Sequence, residues 1–268
     1  MIKRKFYSLF AILMLCQAGF SQNTVYAPTG IFQLSDPQIK VSSIFFESDV
    51  TLNFGLDMPN STIKYTLDGS SVDQNSKVFS KPLKITESAV IKTKMFHPDY
   101  IESDEVELEV VKIAQKSAIK QIEVLPAPSE KYSGIGAKGL YDLKKGSAQF
   151  GGDKQWMGFQ TEKIIASLQL EKNIIINKIV VSTLTNQSNW IFAPVKVEVY
   201  HDDELIGEIT FPKSEKESLN SATFLSVPIN KGVYDTLKVV IYPLSEIPQW
   251  HQGKGTTPWV FIDEIIIQ

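Results

Sequence analysis

The feature that most constrains this chain is its hydrophobic period. Apolar side chains recur at every second position in run after run, and no segment holds a helical period over three turns. Val50, Leu52, Phe54 and Leu56 alternate in one run, and Ile63, Tyr65 and Leu67 in the next, which ends at Asp68-Gly69. Ala89, Ile91, Thr93 and Met95 alternate with Lys92 and Lys94, as Val106, Leu108 and Val110 do with Glu105, Glu107 and Glu109. Successive strand residues face opposite sides, so these are half-buried strands, and the charged rows are solvated faces rather than binding surfaces. The pattern lapses from Ala114 to Ala118, and Leu125-Pro126-Ala127-Pro128-Ser129 reads as an extended connection. Gly134 to Gly152 is glycine-rich and reads as loop. Strands return in Ala166-Leu170, the denser run Ile174-Val181, Val195-Val199, Leu205-Phe211 after a hairpin tip at Asp202-Asp203, Leu237-Ile241 and Val260-Ile267. The predicted fold class is all-β, two tandem β-sandwiches. The first covers 36–113 and the second 131–268, with an N-terminal extension over 22–35 and a linker over 114–130.

The first residues predict a compartment. Lys3, Arg4 and Lys5 precede a short apolar run from Leu9 to Leu15, and Gly19-Phe20-Ser21 places small residues two apart. This is the order of a secretory signal peptide, residues 1–21, and the run is too short to span a bilayer comfortably. Leu15 stands where a lipobox before Cys16 needs a small residue, which argues against lipidation. Cys16 is the only cysteine, so the exported chain is expected to hold itself together by packing, without disulfides or a thiolate zinc site. With 27 basic and 30 acidic residues there is no polybasic surface for nucleic acid or anionic lipid. The expected location is the periplasm or the cell exterior of a bacterial envelope.

Two resemblances sharpen this. Ile63-Lys64-Tyr65-Thr66-Leu67-Asp68-Gly69-Ser70, Pro82-Leu83, Ile91-Lys92-Thr93-Lys94-Met95-Phe96 and Ser103 resemble the chitobiase C-terminal-like sandwich that accompanies bacterial family-20 β-hexosaminidases and chitobiases. Gly146-Ser147, Trp156-Met157-Gly158-Phe159, Trp190-Ile191-Phe192-Ala193-Pro194, Trp250-His251-Gln252-Gly253-Lys254-Gly255 and Trp259-Val260-Phe261-Ile262-Asp263-Glu264-Ile265 resemble the galactose-binding, discoidin-like jelly roll. In the enzymes an Asp-Glu pair works on a barrel strand, the Glu as general acid. Here Asp263-Glu264 falls on what reads as the last sandwich strand, and neither unit has the length of a (β/α)₈ barrel. The resemblance implies the accessory modules without the catalytic barrel, and no residue is expected to be catalytic.

All four tryptophans fall in the second unit. Sugar C–H faces pack on aromatic planes while nearby polar groups read the hydroxyls. Trp250 and His251 are therefore the leading candidates for a glycan site, with Trp190 and Trp156 beside them. Trp259, before an apolar strand, reads more as an anchor. The discoidin-like resemblance also implies a structural Ca²⁺ held by Asp142 in an early loop and Glu264 on the final strand, stapling distant segments with hard oxygen ligands. Leu143 stands where that family usually has Gly, which bears on the loop's geometry. The leading functional expectation is an exported, non-catalytic carbohydrate-binding protein taking a galactose or N-acetylhexosamine type of sugar. The alternative is a structural module docking on a glycoside hydrolase or envelope complex, and the last is a β-N-acetylhexosaminidase-related enzyme.

Overall fold

The computed structural model describes residues 30–55, 58–113, 118–171, 174–212 and 220–268. The signal peptide, the extension up to residue 29 and residues 114–117 of the linker lie outside these. The architecture is all-β. In the first unit, β1 (Gln38–Val41), β3 (Val50–Gly55) and β6 (Leu83–Ile85) form one sheet in the order β1-β3-β6. Its partner runs β2-β8-β7-β4-β5, built from β2 (Phe45–Phe46), β4 (Thr62–Thr66), β5 (Lys77–Val78), β7 (Ala89–Phe96) and β8 (Val106–Lys112). Val50, Leu52 and Phe54 on one side of β3 pack on Tyr65, Ile91 and Val110 of the other sheet. At roughly 1.5–3 kcal/mol for each large side chain fully buried, these alternating positions supply the drive to close the sandwich.

The second unit is larger. One sheet orders β10 (Met157–Phe159), β17 (Val260–Ile267), β12 (Ile175–Thr185) and β15 (Ser221–Val233) as β10-β17-β12-β15. The other orders β9 (Ile119–Leu125), β11 (Ile164–Leu170), β13 (Lys196–His201), β14 (Glu204–Thr210) and β16 (Thr236–Tyr242) as β14-β13-β16-β11-β9. Ile164, Ala166, Leu168, Val197, Val199, Val239 and Ile241 point inward from the five-stranded sheet and meet Ile176, Ile179, Val181, Val227, Ile262 and Ile265 of the other.

Two expected boundaries are corrected. The stretch expected as linker contains β9, an edge strand paired with β11 from Leu125↔Ile165 to Ile119↔Leu170. Its alternation is hidden because the register shifts between Gln169 and Leu170, leaving Lys120 as an extra residue. Such a bulge reverses parity, so Ile119 and Ile122 both face the core despite their spacing of three. The end of the extension is also structured. Gly30 N–H donates to Asp99 O, Ile101 N–H to Phe32 O and Leu34 N–H to Ile101 O, so residues 30–34 lie along the first sandwich and bury Leu34.

The two sandwiches meet in an apolar contact. Phe45, Val111 and Ile113 of the first pack with Val180 and Ile266 of the second, and Phe45 stands edge-on to Phe224 with ring centres 5.6 Å apart. The Gln268 amide donates to Lys112 O at 2.7 Å across the same junction. The four-stranded sheet is thus covered on both faces, which is why β17 is buried at every position and β12 reads as a dense apolar run.

Candidate functional site

Two loops of the second sandwich carry exposed indoles. The turn from Asn186 to Phe192 is tied to the residue before β17, because Trp259 N–H donates to Trp190 O and Phe192 N–H to Trp259 O. Trp190 itself takes a left-handed backbone (φ 60°), and its side chain is 47% exposed. The loop from Leu244 to Pro258 is closed by Ile247 N–H to Thr256 O and Gly255 N–H to Ile247 O, and it presents Trp250 at 37% exposure. The loops touch: a Cβ on Gly253 would stand 2.6 Å from Trp190 Nε1, so only glycine lets that indole lie across the chain there. Trp250 packs against Phe192 and His251, with ring centres 6.4 and 5.5 Å away. Exposed Asn189, Gln252 and Lys254 lie on the same two loops and bring donors and acceptors to them.

His251 has a different role from the one expected. It is buried, its Nδ1 accepts the Gly253 N–H at 3.0 Å, and its Nε2 therefore carries the proton and donates to Gln187 O at 2.9 Å. Both ring nitrogens are committed to the loops, so His251 joins the two rather than offering a donor to a sugar. Gln187 O also accepts the Trp190 N–H, which makes this buried carbonyl the common anchor of the platform. Phe192 and Gly253 enter the sequence reading only as members of the motif runs around Trp190 and Trp250, and Gln187 is given no role there. Their only signal there is proximity to Trp190 and Trp250.

Trp156 is likewise corrected. It is 2% exposed, its Nε1–H donates to Ser147 O at 2.8 Å, and a Cβ on Gly146 would fall 2.4 Å from that nitrogen. It packs with Leu184, Ile191 and Phe261 and presents no face to a ligand. Trp259, only partly buried, packs beside them and is the expected anchor.

The structure does bring Asp142 and Glu264 together. The register of β17 on β12 shifts between Ser182 and Thr183, leaving Asp263 as a bulge, and both acidic side chains reach the loop at residues 142–147. Asp263 Oδ2 accepts the Lys145 ammonium and the Gly146 N–H, each at 2.6 Å. Lys145 Nζ also lies 4.1 Å from the centre of the Trp156 ring. Burial pushes the Asp263 carboxyl up and the Lys145 ammonium down, each offset by the other's charge. Glu264 Oε1 accepts the Lys144 N–H at 3.1 Å, and Asp142 Oδ1 accepts the same N–H at 2.9 Å. Burial, then contact with the Asp142 carboxyl, then the charges of Asp263 and Asp142 push Glu264 up to about 9. Both members of the Asp263-Glu264 pair are fully buried, so neither faces a substrate.

These residues fit a divalent cation in part. Glu264 Oε2 is buried with no hydrogen-bond partner, and a carboxyl that holds its proton this far up the pH scale is short of positive charge. Leu143 adopts φ 61° despite its side chain, so the loop keeps the turn that glycine would give. Among the described residues no three His, Cys, Asp or Glu side chains are grouped to hold a metal. A hard cation here would need main-chain oxygens to complete its shell around Asp142 and Glu264.

Residues 42–107 match the family model described as Chitobiase/beta-hexosaminidase C-terminal domain. No curated protein matches the chain. Among solved structures, the chain is similar to a family-32 carbohydrate-binding module from Clostridium perfringens in complex with GalNAc-β-1,3-galactose, at 17% identity and TM-score 0.35, over 56% of this chain and 99% of that one. It is similar to the C-terminal domain of a chitobiase from Bacteroides fragilis at 16% identity and TM-score 0.34, over 56% of this chain and 95% of that one. The match to the CBM32-1, CBM32-2 and M60 catalytic domains of Clostridium perfringens ZmpB has 12% identity and TM-score 0.36, covering 56% of this chain but only 14% of that one. No helix among the described residues is long and apolar enough to cross a membrane.

Proposed function

We propose that this chain is an exported, non-catalytic glycan-binding protein whose second sandwich holds a galactose- or N-acetylhexosamine-type sugar on the loops of Trp190 and Trp250. The observation that carries the reading is the pair of exposed indoles on adjoining loops, locked from below by His251 and Gln187. Exposed aromatic planes that stay rigid cost little ordering on binding, and the surrounding amides and ammonium supply the polar readout. The family match of residues 42–107 supports a role beside glycan-processing enzymes, with the first sandwich as a docked spacer. A single shallow site gives weak affinity, on the order of micromolar to millimolar. The mature chain screened on a glycan panel should bind, and Trp250→Ala should abolish binding while leaving the fold intact. A well-folded chain that binds no glycan sinks the reading.

We also propose that Ca²⁺ binds at Asp142 and Glu264 as a structural staple between an early loop and the last strand. Added Ca²⁺ should then raise the melting temperature of the wild type and leave Glu264→Gln unmoved; equal shifts in both rule the site out.

A second reading, a module that docks on a glycoside hydrolase or envelope complex, is favoured by one feature. Ile31, Phe32, Tyr100 and Ile101 are exposed apolar neighbours on the first sandwich. Co-purification with an envelope partner, lost on Phe32→Ser and retained by Trp250→Ala, would support it. Hexosaminidase activity is disfavoured by the burial of Asp263 and Glu264, and turnover of a chromogenic N-acetylglucosaminide would restore it.

A further inference from the structure

The outer face of the five-stranded sheet is not flat. Outward positions follow the register: Tyr200, Lys238, Ser167 and Glu123 form one row across β13, β16, β11 and β9. Ser167 is the smallest of these, so a trough opens over β11 between Lys238 and Glu123. It is a cleft of about 240 Å³ lined by Gln121, Glu123, Ser167, Gln169, Thr236 and Lys238 among others. Two residues further along the same strand pair, Leu125 and Ile165 line a second cleft of about 450 Å³ with Pro126 and Thr161. Pro126 and Thr161 also line a third, of about 250 Å³, which ends on Trp259. Trp259 N–H is the donor to Trp190 O, and Gln160 of the third cleft donates to Thr257 O, so the line of clefts ends beside the two indole-bearing loops.

We infer that these three clefts form one groove for an extended, uncharged glycan chain, continuing from the tryptophan platform across the outer face of the sheet. The inference rests on the platform reading for its sugar chemistry but makes a separate claim about length. Each cleft is below or near the lower end of the roughly 300–1,000 Å³ range of drug-sized pockets, which suits one or two sugar residues at a time. Leu125, Ile165, Pro126 and Trp259 offer apolar surface to C–H faces, whereas Ser167 and Gln169 bring exposed polar side chains. Charge settles the class of polymer. The lining holds Glu123, Asp202 and Glu162 against Lys238 and Lys163, with no cluster of either sign, so neither a polyanion nor a polycation finds complementary charge.

The test compares N-acetylglucosamine and galactose with chitohexaose and a β-galactohexaose, on the full mature chain, by calorimetry and by amide chemical shifts. One hexamer should bind at least tenfold tighter than its monosaccharide and shift amides at residues 121–125, 165–169 and 236–238 as well as at 187–191 and 250–254. Ser167→Trp fills the trough at an exposed position and should remove the length advantage while sparing the monosaccharide, and Gln169→Ala should weaken it. Equal affinity for hexamer and monosaccharide, or a Ser167→Trp variant that keeps the full gain, overturns the groove. Hexamer binding that survives Trp250→Ala and falls with Ser167→Trp would instead overturn the platform and leave the groove standing. No binding of any probe by folded protein overturns both.

Discussion

The two sandwiches treat charge differently. In the first, ions sit on the surface: Lys92 bridges Glu105 and Glu107, and Lys94 pairs with Glu102, the two lysines standing at β7 positions that alternate with the core. The second has such strand-face pairs too, Lys196 with Glu198 and Glu208 among them, but it also takes charge inside. Lys145 and Asp263 pair at 11% and 0% side-chain exposure, and fully buried Glu264 touches Asp142. A surface pair contributes little to stability, whereas a buried pair, once formed, penalises loss of either member heavily. The first unit therefore specifies a smooth, tolerant body. The second uses interior polar contacts to fix where its loops sit: Asp263 and Glu264 hold residues 142–147, while His251 on Gln187 O holds the loops of Trp190 and Trp250.

The comparison breaks most visibly at Asp263. Asp263→Ala leaves Lys145 uncompensated and the Gly146 N–H unpaired in the interior, a loss of about 3–5 kcal/mol. Glu102→Ala in the first sandwich should cost about 1 kcal/mol or less. Urea titration of the two variants measures both, and comparable losses would erase the distinction. A second effect appears with pH. In EDTA the folded Glu264 carboxyl sits at about 9 against an ordinary 4.5, so the folded state holds a proton that the unfolded chain releases. That contribution is complete below about pH 4.5 and is lost as pH rises toward 9, at up to about 1.4 kcal/mol per pH unit. The unfolding midpoint should fall from pH 5 to pH 9 in the wild type and stay flatter in Glu264→Gln. The smallest effect belongs to Trp250, whose replacement by Ala should change stability by about 1 kcal/mol or less because the indole is exposed. A large loss there would make it a core residue rather than a platform.

Strands with one wet face were readable from sequence because burial imposes period two directly: β3, β7, β8, β11, β13 and β16 fall where alternation puts them. β9 was not, because one inserted residue at Lys120 reverses the parity that alternation depends on. For the site, residue type and local context carried Trp190 and Trp250 as far as candidates. They could not separate these from Trp156, since a tryptophan reads the same in a core as on a loop. What decides it is a close approach made by Gly146 from ten residues away, a tertiary fact. The role of His251 is illegible in the sequence for a similar reason. Its ring is spent on Gln187 O, a partner that only the fold brings near.

The place of β17 has a consequence for how the molecule comes to be. It is an inner strand, between β10 and β12, and its pairings join Met157 to Ile262 and Val181 to Ile265. Contacts of such high sequence separation form slowly, since the intervening chain must be gathered before they repay its entropy. A polypeptide emerging amino end first can complete the first sandwich early. The second must wait, with β12 presenting unpaired edge groups and apolar surface until Val260–Ile267 arrives. During that interval the finished first sandwich already displays Phe45, Val111 and Ile113, the surface on which Val180 and Ile266 finally settle. The amino-terminal unit is thus placed where a template for its neighbour would stand, and deleting it should slow the second unit's refolding.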